Sequence, residues 1–303
     1  MPPRPMVRER RPAELALPAW VRRHSVAAFI LHESTRQPRV AAPSMFASDR
    51  AVYATQPKPL RTQITGLLEA ARPEPIEGDV LALIVPDSNL LSGGHVAAEV
   101  FGTLQGQAYD TVILVAPSHT GPFRRMNICS VDAYYTPLGD LAINDAVRNE
   151  LCDEDDDIFL DDTGHFHVEG IDVQLPFLQT VLTKPFDIVP IVMGEETPDF
   201  CRELGRAVGE VMYNRRTLVV ASADLLEADA EGLNLFRTYL ESMDVERLMG
   251  LLNSERVRME GRGAVLVALI AAMHRRANRA RVLHLEPPAE GRVGFAGAVI
   301  WRG

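Results

Sequence analysis

The stretch Thr111-Val112-Ile113-Leu114-Val115-Ala116-Pro117-Ser118-His119 is an unbroken apolar run that ends abruptly on polar residues. Such a run leaves no side for solvent, so it reads as a strand covered on both faces, the habit of parallel sheets. Runs at 81–86, 188–193 and 217–221 have the same Val, Ile and Leu character. Between and after them the apolar residues fall at helical spacing, which predicts helices over 94–104, 172–182, 199–213, 233–253 and 263–279. A last strand is expected at 293–301, and the alternation over 126–141, with Pro137 and Gly139 as a turn, predicts an antiparallel excursion. Strands alternating with helices imply an α/β fold with a mainly parallel central sheet and helices on both faces.

Composition narrows the function classes. With 303 residues, 47% hydrophobic and 24% charged, the chain can build a substantial core. A net charge of −10 argues against nucleic-acid and anionic-membrane partners, which require a basic face. Cys129, Cys152 and Cys201 form no CxxC pair, and no apolar run reaches bilayer-spanning length, so a reducing cytoplasmic location is expected. Residues 1–38 read as a basic, flexible arm that could dock a protein partner, and residues 39–303 as a single α/β domain. Arg residues number eight over the first 39 positions, against Glu9, Glu14 and Glu33. The acid-rich stretch 153–162 reads as a solvated loop.

Ligands of open α/β sheets bind outside the carboxyl ends of the strands. The runs end in Asp87, in Ser118-His119, in Gly194-Glu195-Glu196, and in Asp224 with Glu227 placed one helical turn on. Each alone could be a helix cap or a loop hydrogen bond, but together they describe the floor of one pocket. GxSxG, P-loop, GxGxxG and HExxH signatures are lacking, which counts against hydrolase, nucleotide and zincin readings.

Several segments in order resemble the Memo family, protein B of the AmmeMemoRadiSam set. Pro86 to Gly94 matches its PHAGYxYSG segment and Ala116-Pro117-Ser118-His119 its GPSH. Glu169 to Phe177 matches EHSxExQLPF, Ser222 to Glu227 matches SSDxxH, and Glu260-Gly261 matches a late CG pair. Ser130 to Asp140 is similar to SVDxYxTPLGD and Val293 to Ala296 to VGYA. The resemblance implies a fold like class III extradiol dioxygenases and a metal site of two His and one Cys with a further His nearby. Only His119 is unchanged. Asp87 and Glu227 stand for His, Glu260 for Cys, and Glu169 for the His of the EHS segment.

Every departure at a ligand position is thus a carboxylate. Asp87, His119, Glu227 and Glu260 would make an oxygen-rich site for Fe(II), Mn(II) or Mg(II), and the thiolate suited to Cu(I) is gone. Converging carboxylates require a cation, a proton or an internal partner. Arg262 offers the last, which would leave an ion-paired relic. The expected supporting residues are Ser118, Asp224, Asp172, with Gln174, and Arg262, and His119 is the candidate catalytic group. His165 and His167 read as part of a solvated loop that could lend a ligand, and His95 and His274 as packing or surface residues. Two functions remain: a metal-dependent, dioxygenase-like oxidoreductase, or a non-catalytic scaffold binding a small molecule or peptide.

Overall fold

The computed structural model describes residues 52–154, 157–165, 169–254 and 256–303, with 153 and 154 as backbone alone. The expected arm at 1–38, and His167, lie outside the described residues. The order begins α1 (Pro57–Ala71), β1 (Asp79–Val85), α2 (Gly94–Gly102), β2 (Thr111–Pro117), β3 (Met126–Ile128), β4 (Ala133–Thr136) and β5 (Gly139–Ala142). It continues α3 (Asp145–Glu154), β6 (Ile158–Leu160), α4 (Glu169–Val181), β7 (Asp187–Met193), α5 (Pro198–Val211), β8 (Thr217–Ser222) and β9 (Asp224–Ala228). The chain closes with α6 (Ala230–Glu241), α7 (Val245–Leu252), β10 (Val257–Glu260), α8 (Arg262–His274), β11 (Arg279–Glu286) and β12 (Gly294–Arg302).

Ten strands form the main sheet in the order β10-β9-β12-β1-β8-β2-β7-β3-β6, with β11 also on β12, and β4 and β5 form a separate two-stranded sheet. The four apolar runs are its centre: β1, β8, β2 and β7 are mutually parallel. Alternate residues of each run enter opposite cores, as period-two geometry requires. Ile113, Val115, Val189, Ile191, Val219 and Ala221 pack beneath α5, α7 and α8, while Val112, Leu114, Leu218 and Val220 pack beneath α2 and α4. Burial on both faces removes water from nearly every side chain of these strands, at about 1.5–3 kcal/mol for each fully buried Val, Leu or Ile.

The flanks join the parallel centre antiparallel, and here several expectations change. β12 pairs antiparallel with β1, β9 and β11. The predicted helix over 233–253 is two helices, because Met243 takes a left-handed φ of 57° and Asp244 caps α7 by accepting from Arg247 N at 3.1 Å. The predicted helix over 263–279 ends at His274, and residues from Arg279 form β11. Within 126–141, the antiparallel excursion is the β4–β5 hairpin, while β3 joins the main sheet. The stretch 153–162, expected as a loop, contains β6, paired parallel with β3. His165 is also not solvated: it is buried, with Nε2 3.0 Å from Asn127 O. Burial holds its pKa down at about 4, so it is a neutral core histidine.

Candidate metal centre

The carboxyl ends of the four parallel strands deliver the site, and each chain exit carries one polar group. β1 runs out through Pro86 to Asp87, β2 through Pro117 to Ser118 and His119, and β7 through Gly194 to Glu196. β8 turns through Ala223 directly into β9, which starts at Asp224 and is in register with Glu260, the last residue of β10. A left-handed Gly261, φ 78°, lets α8 begin at once with Arg262. Only a residue without Cβ fits there, since a Cβ would strike the Ser222 carbonyl.

Asp87, His119 and Glu260 come together, with donor atoms all within 4.8 Å of one another. His119 Nε2 is 2.5 Å from Asp87 Oδ2 and 3.8 Å from Glu260 Oε1. Asp87 is buried, and its Oδ1 has no hydrogen-bond partner among the described residues. The N-terminal turn of α4 presses on that oxygen: a Cβ at Gly170 would overlap Asp87 Oδ1 and sit 2.7 Å from Ser222 Oγ. Gln174 braces the same exit, its Nε2 donating to Pro86 O at 2.8 Å and to Ser222 Oγ at 3.2 Å.

Asp224 supports from behind. Its Oδ1 accepts from Asp87 N at 2.9 Å, and its Oδ2 accepts from Ser88 Oγ. Burial, reinforced by the Asp87 charge, pushes its carboxyl up to about 7. Glu196, which stands 3.8 Å from Arg262 Nε, is likewise pushed up to about 7 by burial. Burial also raises Glu260. For His119, burial opposes the charged form, but the hydrogen bond and charge of Asp87, with Glu260 and Glu169, override it and bring the imidazole up to about 9.

Three expected members are placed elsewhere. Glu227 does not join the cluster: residues 224–228 are a strand, so a three-residue offset from Asp224 puts it on the opposite face. There it is exposed and pairs with Arg258 at 2.6 Å. Arg262 pairs with Glu196 rather than with Asp87 or Glu260. Asp172 is buried but hydrogen-bonds Tyr134 of the β4–β5 hairpin, so it braces the outer helix packing. Ser118 donates to Gly121 O at 2.8 Å and shapes the loop beside the site. Glu196, in a strand-end segment that reads as unspecific, is the group that sequence reasoning undervalued.

Ser118, Glu196, Glu260 and Arg262 line an open cleft of about 440 Å³. A smaller cavity of about 160 Å³ lies at the other end of the strands, around Asp79 and Thr217, away from the polar cluster. Within the described residues, then, the chemistry converges on the carboxyl-end cleft.

This arrangement coincides with a family match. The family model for Memo-like proteins covers residues 47–299. The chain belongs to the Memo family. A MEMO1 family protein of Saccharolobus islandicus is 30% identical over 203 residues, 64% of this chain and 72% of that protein. Another from Sulfurisphaera tokodaii is 28% identical, covering 68% of this chain and 76% of its own length. An uncharacterized Escherichia coli K12 protein of known structure superposes with a TM-score of 0.47 at 14% identity, over 73% of this chain and 99% of its own.

Do these residues fit a metal? Two carboxylates and one imidazole are the donors preferred by hard to borderline divalent ions. At metal–ligand distances near 2.1 Å, adjacent octahedral donors stand about 3 Å apart. Seating an ion thus requires the 2.5 Å Asp87–His119 contact to open and the 3.8 Å His119–Glu260 gap to close, each by under about 1 Å. The orphaned Asp87 Oδ1 supplies a further lone pair. The residues present fit the group.

Proposed function

We propose that this Memo-family protein binds a divalent cation of the Mn(II), Fe(II) or Mg(II) class through Asp87, His119 and Glu260, and uses it on a small molecule in the adjoining cleft. The observation that carries the reading is Asp87: a buried carboxylate oxygen without a donor among the described residues, beside an imidazole and a second carboxylate. Such an oxygen costs about 1–3 kcal/mol unless something satisfies it. A bound ion would supply Lewis acidity and, for Fe or Mn, redox capacity of the oxygenase-like kind. The chain's own part is to orient substrate and manage protons. Glu196, pushed up to about 7, sits in the cleft wall where it can give or take a proton at neutral pH. Arg262 beside it offers a cation to an anionic substrate group.

Purification without chelator, followed by elemental mass spectrometry, tests this. One Mn, Fe or Mg per chain is expected, lost in Glu260→Ala and His119→Ala. No stoichiometric ion, or unchanged content in both variants, refutes it.

One observation favours a second reading, a non-catalytic binding protein with an ion-paired site. Asp87 and His119 already neutralise each other at 2.5 Å. Under that reading residues 1–38 dock a protein partner, and a pull-down with and without them should differ. Equal recovery removes the role of the arm.

A further inference from the structure

A second cluster of metal-ligand type lies on the far side of β12 from the site just described. His95 and Glu99 are one helical turn apart on α2, and His284 and Glu286 are alternate residues of β11, so each pair shares a face. The two faces meet. His95 Nε2 is 3.4 Å and His284 Nε2 3.8 Å from Glu286 Oε2, and one donor atom from each of the three residues lies within 4.8 Å of the others. The imidazoles face each other edge-on, with ring centroids 5.4 Å apart.

From these positions we infer that His95, His284 and Glu286 form a second metal site, selective for a borderline divalent ion of the Zn(II) class. Metal–nitrogen and metal–oxygen distances near 2.0–2.1 Å place tetrahedral donors about 3.3 Å apart, against 3.4 Å for His95–Glu286 and 3.8 Å for His284–Glu286. The fourth position faces solvent, since the His95 side chain is about half exposed. What distinguishes the group from a chance surface ion pair is Glu99. Its Oε2 lies 3.2 Å from His284 Nδ1, and since a carboxylate can only accept, the neutral imidazole donates Nδ1–H to it and keeps its Nε2 lone pair on the Glu286 side. A carboxylate behind a histidine is the arrangement that fixes the tautomer of a metal ligand.

The site is independent of the first. In the sheet, Glu260, Asp224, Phe295 and Glu286 form one row across β10, β9, β12 and β11. Three strand spacings, about 14 Å, separate the two glutamates along that row. The Phe295 ring stands between the clusters, 6.1 Å from His95. The donor sets also differ, with two imidazoles here against one at the strand ends. The harder ion belongs with the carboxylates and the softer one with the imidazoles.

The test is calorimetric titration of chelator-stripped full-length chain with Zn(II), in the His119→Ala background that removes the first site. One Zn(II) per chain is expected. Adding His284→Ala or Glu286→Gln should lower affinity at least about 100-fold, and adding Glu99→Gln about 10- to 100-fold. Glu286→Gln and Glu99→Gln preserve shape, and unchanged circular dichroism excludes unfolding as the cause. Failure of the His119→Ala chain to bind one Zn(II), or equal affinity in the further variants, overturns the assignment.

Discussion

Asp224→Asn separates electrostatics from packing at the strand-end site. The side chain is 4% exposed, and its carboxyl is pushed from 3.8 to about 7. A carboxyl raised on folding makes the native state bind more protons than the unfolded one between those values, so stability falls as pH rises from about 4 to about 7 and then levels off. Linkage gives a cost of about 2 kcal/mol at pH 5 and about 4 kcal/mol at pH 8, a difference of about 2–3 kcal/mol. Asparagine keeps the shape: its Oδ1 still accepts from Asp87 N–H, and Nδ2 donates to Ser88 Oγ instead of accepting. The variant has no charge to bury. Urea unfolding in chelator at pH 5, 6, 7 and 8 should therefore show the variant gaining on the parent by about 2–3 kcal/mol across the range, and exceeding it at pH 8. Parallel pH profiles, within the 10–15% or so uncertainty of extrapolated unfolding free energies, would refute the claim that Asp224 is a strained carboxylate. Added divalent ion should flatten the parent's slope, because a cation at Asp87 and Glu260 relieves the repulsion.

Gly170→Ala drives a methyl into Asp87 Oδ1 and Ser222 Oγ, and overpacking of this kind should cost about 1–3 kcal/mol; an unchanged melting temperature would count against the close approach of α4. Glu227→Gln should leave metal content unaltered and change stability by less than about 1 kcal/mol, because it removes only an exposed pair with Arg258; loss of metal in the elemental assay would restore Glu227 to the site. His165, held down at about 4 by burial, should stay neutral in the native state as pH falls from 6.5 to about 4. The unfolded chain takes up that proton first, so this histidine withdraws stability over the same window. A His165 NMR resonance titrating near 6.5 would sink the prediction.

The central fold was legible because buried parallel strands advertise themselves. Residues 111–117 and 217–222 carry no solvent-facing position that could mimic anything else. Antiparallel flanks carry no such mark. β11, with its Arg279-Ala280-Arg281-Val282 alternation, is partly exposed and reads as the tail of α8 until β12 is seen to pair with it. The error over Glu227 has the same origin: Asp224 to Glu227 fits a helical turn or a strand equally well by composition, and only pairing with β10 decides. Asp87 and His119 were readable as strand exits. Glu196 was not, because its meaning depends on burial against α8, and the His95–His284 pair was hidden by a sequence separation of 189 despite its HxxxE and HxE spacings.

Three ways of neutralising the strand-end carboxylates follow from composition, and the geometry distributes them among different groups. Arg262 serves Glu196, 3.8 Å away, so an internal guanidinium is not what answers Asp87 and Glu260. For those two the nearest cation is His119, brought up to about 9, and one imidazolium cannot balance Asp87, Glu260 and the partly ionised Asp224 together. On the metal reading proposed above, a proton and a cation would compete for one and the same charge deficit. A divalent ion held by Asp87, His119 and Glu260 would require a neutral His119, and its charge would favour ionisation of the Asp224 carboxyl behind them. On the proposed metal reading, the carboxylates of Asp87 and Glu260 would do more than set a metal preference. They would leave the site proton-loaded when metal-free, coupling cation binding to proton release through the same side chains.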